Sequence, residues 1–180
     1  MIERELRALL DQEACRDLVR RYARGLDRRD LTLLTSLFWE DAVFEHADHF
    51  KGSAHEFCRH AVEFLGRFER VFHLIGQHIV EIDGDLGVGE AYGLSSHVVG
   101  GDAPFHAIVS ARILDRYERR DGAWRIAARR TVLQFGLDVD QSPDWARGVL
   151  GPMPPASDFG RWAPDDPSYA WFAALGAGRE

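Results

Sequence analysis

The chain has 180 residues, a net charge of −7, 46% apolar residues and 28% charged ones. That suits one domain with a real core. Acids and bases interleave, which argues against a nucleic-acid or anionic-membrane partner. No apolar run approaches the roughly 18–20 residues of a membrane-spanning helix. The charged start Met1-Ile2-Glu3-Arg4-Glu5 is unlike a signal peptide. The 2 cysteines, Cys15 and Cys58, fall in predicted helices. A reduced, cytoplasmic protein with buried thiols is the expectation.

Residues 3–26 read as a long helix. Leu6, Leu10, Ala14, Leu18, Tyr22 and Leu26 recur at steps of four, and Gly25 and Asp27 mark its end. Asp30 reads as the N-cap of a short helix from Leu31 to Trp39. Ala42 to His46 suits a short strand. Ser53-Ala54-His55-Glu56 has capping-box spacing and opens a third helix. From Val71 the period changes to two, giving strands at about 71–82, 86–99, 104–118 and 123–137 joined by glycine-containing turns. The expectation is an α+β domain over 1–137, a cone-shaped curved antiparallel sheet wrapped around the helices. The tail, 138–180, holds every one of the 7 prolines but Pro104, together with Trp145, Trp162 and Trp171. The prolines exclude a long central helix and the aromatics argue against pure disorder. The tail is expected to wrap over its own domain or a neighbouring subunit.

The stretch His73 to Asp85 reads as a strand running into an Asp83-Gly84 turn. Strict alternation places His73, Ile75, Gln77 and Ile79 on one face, and Phe72, Leu74, Val80 and Ile82 on the other. A histidine and an amide among isoleucines suit a pocket wall.

Several features together resemble the SnoaL-like branch of the nuclear transport factor 2 (NTF2-like) superfold. They are the element order, Tyr22-x-x-x-x-Asp27, His73-x-x-x-Gln77 with Glu81 to Asp85, and Arg116 to Trp124. Within that branch the pattern is most similar to cofactor-free lyases, among them hexachlorocyclohexane dehydrochlorinase, scytalone dehydratase and bile-acid 7α-dehydratase. The resemblance implies an α+β barrel, a catalytic pair formed by Asp27 and His73, a helper role for Tyr22, and no cofactor. Gln77 stands where that strand often carries asparagine. Arg129 or Arg130 would supply the family's late-strand arginine. Adjacent strand residues point to opposite faces, so only one can enter a pocket.

The residues have physical readings of their own. Asp27 lies at a helix C-terminus, where a carboxylate is disfavoured by roughly 0.3–1 kcal/mol and a nearby imidazolium would offset that. A carboxylate accepting from Nδ1–H leaves the histidine Nε2 free as a base. Trp39, Phe44 and Phe135 are candidate substrate contacts, although such rings more often pack a core. His46-Ala47-Asp48-His49 lacks a strong metal-ligand spacing, so no metal is expected. His97 and His106 fit either a pocket or the surface.

The resulting expectation is a cofactor-independent lyase acting on a small apolar, cyclic substrate, in a homo-oligomer, either trimer or dimer. An isomerase using the same base, a ligand-binding protein, and a subunit like the small subunit of ring-hydroxylating oxygenases are the alternatives.

Overall fold

A computed structural model of the protein describes residues 2–99, 105–139 and 161–173. Helix α1 (Ile2–Arg28) and the short α2 (Leu31–Ser36) precede strands β1 (Phe38–His46) and β2 (Phe50–Ser53). Helix α3 (Ala54–Leu65) then leads into β3 (Arg70–Asp83), β4 (Leu86–Val99), β5 (Phe105–Arg120) and β6 (Ala123–Val139). A last short helix, α4 (Pro167–Ala173), lies in the tail. The six strands form one open, curved sheet in the order β2-β1-β6-β5-β4-β3. All its pairs are antiparallel except β1–β6. Among the described residues no helix is long and apolar enough to cross a membrane.

The element order follows the sequence reading, with differences that have local causes. Helix α1 runs past Gly25 to Arg28, and a Cβ at Gly25 would meet Leu34 Cδ2 at 2.7 Å. That glycine serves the α1–α2 contact, and α1 ends instead before Arg29, whose φ is +52°. The apolar stripe of α1 is buried only from Asp11 and Cys15 onward, while Leu6, Leu9 and Leu10 remain exposed. Asp30 caps α2 by accepting from the Leu33 amide at 2.9 Å. Helix α2 stops at Ser36, so Trp39 belongs to β1. Ser53 occupies the N-cap of α3 without a side-chain cap bond. The loop after His46 is the turn of a β1–β2 hairpin. Both cysteines are free and buried. The expected turn at 100–102, and the tail outside 161–173, lie outside the described residues.

Helices α1 and α3 cover the inner face of the sheet. Val19, Tyr22 and Leu26 meet Phe38, Phe44, Ile113, Tyr117 and Ile126 in the core. Strict alternation along β3 and β6 is broken by three one-residue bulges. Between Ile75↔Gly93 and His78↔Ala91, Gly76 and Gln77 oppose Tyr92 alone. Ala127 is extra between Tyr117↔Ile126 and Arg116↔Ala128, and Gln134 is extra between Ala111↔Leu133 and Ser110↔Phe135. Each bulge exchanges the faces of everything that follows it.

Candidate functional site

Asp27 sits on the last turn of α1, and His73 lies on the inner face of the edge strand β3, which packs along that helix. His73 Nδ1 is 2.7 Å from Asp27 Oδ1. The two side chains are 17% and 14% exposed, so the pair is sheltered but reachable. With Nδ1–H donating to the carboxylate, Nε2 faces away from Asp27. Beside the pair runs an open groove of about 320 Å³. Helix α1 contributes Arg20, Ala23, Arg24, Asp27 and Arg28 to it, and β3 contributes His73 and Ile75.

A second histidine completes the surroundings. His97, on β4 opposite Val71, meets the His73 ring edge-on at 5.7 Å and Phe68 at 4.9 Å. Burial and the neighbouring His73 and His106 push His97 down to about 4. His106 turns to the other face, where it meets Ser96 Oγ at 2.6 Å. The sequence carries His97 only as an undecided histidine. Its alternation with Ser95, the partner of His73, is the signal that identifies it.

The other expected site residues divide between core and outer face. Arg129 points inward and Arg130 outward, where Arg130 lies 3.8 Å from Glu45. The bulge at Ala127 decides this: continuous alternation from Trp124 and Ile126 would have put Arg130 inside. Arg129 does not enter the groove. It donates to both Asp115 oxygens at 2.7 Å, and its guanidinium lies 4.1 Å from the Tyr22 ring. Burial works against its charge, but Asp115 holds it firmly protonated. Tyr22 is equally buried, and burial raises its hydroxyl far above the usual phenol range. Tyr117 donates to Asp115 at 2.9 Å and meets His78 Nε2 at 3.2 Å. The sequence carries no sign of this buried polar network of Asp115, Tyr117 and His78, because the β3 bulge is what turns His78 inward.

Gln77 is not beside His73. The bulge leaves it exposed next to Gly76. Phe135 is likewise moved by the Gln134 bulge to the outer face, opposite Ser110. Phe44 stacks on Phe57 at 3.8 Å in the core. Trp39 lies at the opposite end of the sheet, where its indole donates to the Glu118 carbonyl at 3.0 Å and stacks with Arg120 and Arg125. Among the described residues no three His, Cys, Asp or Glu side chains gather as metal ligands would.

A profile of the SnoaL-like domain matches residues 7–130. The chain belongs to the SnoaL-like family. The match spans the pair, the core and the sheet up to the inward Arg129. Solved structures agree in fold. LinA superposes with a TM-score of 0.69 at 21% identity, over 78% of this chain and 99% of that one. The type 3 LinA hexachlorocyclohexane dehydrochlorinase from Novosphingobium barchaimii gives 0.68 at 20% identity, over 78% and 99%. A proposed scytalone dehydratase from Novosphingobium aromaticivorans gives 0.65 at 19% identity, over 76% and 91%. At these identities the likeness is one of fold. No curated protein sequence matches the chain.

Proposed function

We propose that this SnoaL-like protein is a cofactor-independent lyase of the dehydratase or dehydrohalogenase type, with His73 as base and Asp27 as its partner. The carrying observation is the 2.7 Å contact between them at the edge of an open groove. Nε2 takes a proton from a carbon next to an activating group. The electrons of that C–H bond become the second bond of a C=C, and a hydroxyl or halide leaves the neighbouring carbon with its own pair. Asp27 balances the imidazolium as it forms. The SnoaL-like profile and the dehydrochlorinase neighbours support this choice of chemistry. The substrate is small, with an apolar ring that lies against Ile75. The two free, buried cysteines support a cytoplasmic protein. The outer sheet face, which no described segment covers, supports a homo-oligomer, dimer or trimer.

One observation favours a second reading. The groove is rimmed by arginines, and no closed apolar chamber surrounds the pair among the described residues. A ligand-binding protein could use such a groove without chemistry. A panel of hydroxylated and halogenated cyclic compounds separates the two. General-base catalysis contributes roughly 10²–10⁴-fold, so Asp27→Asn and His73→Ala should each lose at least that much in kcat. The double variant should lose little more than the worse single one, because the two side chains act as a unit. Wild-type protein inert across the panel, or an active His73→Ala variant, would leave the binding reading in place.

A further inference from the structure

Helix α1 carries arginine at every fourth residue: Arg16, Arg20, Arg24 and Arg28. That step returns to nearly the same helical face, so the four form a stripe. The last three line the groove beside His73. Their partners differ. Arg16 reaches the His78 carbonyl and Glu13, and Arg20 also pairs with Glu13. Arg28 lies 3.0 Å from Asp166. Arg24 donates to Ser168 Oγ at 3.0 Å, and its guanidinium lies 4.8 and 5.1 Å from the Tyr169 and Phe172 rings. Among the described residues it pairs directly with no carboxylate. Ser168 does donate onward to Asp166, but that carboxylate already serves Arg28 and two backbone amides. Asp27, the groove's own carboxylate, is taken by His73. The groove therefore holds surplus positive charge in a chain of net charge −7.

We infer that the substrate is an anion, an apolar ring bearing a carboxylate or similar oxyanion, which Arg24 holds while the ring lies against Ile75 and His73. This rests on the proposed role of the Asp27–His73 pair. Two rings and a hydroxyl hold the guanidinium in place without neutralising it, leaving its charge for a ligand. A guanidinium fork matches a carboxylate and pairs with it more strongly than with a neutral group. Arg24 and Asp27 are three residues apart, about 4.5 Å along the helix axis. One small molecule can thus span both the anion site and the base. A groove of about 320 Å³ accepts a bicyclic carboxylate of that kind.

The test compares 1-naphthoate with 1-naphthamide, which share a ring system and differ in charge. Each is titrated into the full-length protein while the His73 Cε1–H resonance is followed by NMR. That resonance is assigned by its loss in His73→Gln. Naphthoate should bind about tenfold more tightly than the amide, the size of one charged hydrogen bond. The difference should shrink as salt screens it. Arg24→Gln should abolish the preference and leave amide binding unchanged. Arg21→Gln, off the groove, should keep it. Ser168→Ala loosens the tail without removing the charge and should also keep it. Asp27→Asn should keep the preference even where it abolishes turnover, so loss of chemistry and loss of anion binding are read separately. Equal affinities for the two compounds would overturn the inference. So would a naphthoate preference that survives Arg24→Gln, a preference lost equally in Ser168→Ala, or binding that leaves His73 unmoved.

Discussion

At the scale of single residues, His97 has the most measurable consequence. Burial, then the charges that His73 and His106 can carry, lower it to about 4. An unfolded histidine titrates near 6.5. Between those values the unfolded chain binds a proton that the folded chain refuses, so acid favours unfolding. Stability should therefore fall as the pH drops from about 6.5 towards 4, then level off with respect to this group. Denaturant melts across that range should show the slope in wild type and a flatter one in His97→Gln. An unchanged slope would mean that His97 is protonated in the folded protein. The Asp27–His73 contact was legible from the sequence mainly through the family resemblance, with Asp27 at a helix end and His73 on the strand after the third helix. Arg130 and Gln77 could not be placed, because single extra residues at Ala127 and at Gly76-Gln77 exchanged the faces, whereas at Phe135 the bulges at Ala127 and Gln134 cancel. A bulge leaves almost no compositional trace, so alternation runs straight through it.

Among the elements, residues 161–173 dock on the C-terminal end of α1 and the start of α2. The Ala163 amide donates to the Arg28 carbonyl at 2.7 Å, Tyr169 donates to Asp30 at 2.6 Å, and Arg29 stacks on Trp162. The sequence suggested a wrapping tail from its aromatics, yet proline and tryptophan content cannot say where such a segment lands. Its anchor is Asp166. Burial pushes that carboxyl up, but Ser168, two backbone amides and Arg28 outweigh burial and bring it down to about 2. A depressed carboxylate stabilises above its unfolded value and stops doing so as pH falls through its folded one. Docking should thus weaken between about pH 4 and pH 2. Trp162 fluorescence and limited proteolysis of the tail would report it. Asp166→Asn should loosen the segment at neutral pH and remove the acid transition. A docked, protease-resistant tail in that variant would show that the aromatic contacts suffice.

For the molecule as a whole, the outer sheet face sets the expectation. Phe72, Leu74, Leu94, Phe135 and Leu137 share it across strands β3, β4 and β6, and each is about 40–50% exposed. No described segment covers them, and Leu6, Leu9 and Leu10 of α1 add further bare apolar surface. A soluble monomer rarely leaves such a contiguous patch open. Light scattering should report a dimer or trimer at micromolar concentration, and the double variant Leu74→Asp, Phe135→Asp should be a folded monomer. A monomeric wild type would refute this.

The lone parallel pair in the sheet also sets an order of assembly. Strands β3 to β6 are neighbours in sequence and can zip together hairpin by hairpin as the chain emerges. Strand β1 has no such local partner beyond the short β2, because Val43 must wait for Ala128. Strand β1 is therefore synthesised long before the strand that seats it. Chains truncated before β6 should leave β1 without its sheet partner while α1 can still pack on β3, and folding should be slow for a protein so rich in helix at its start.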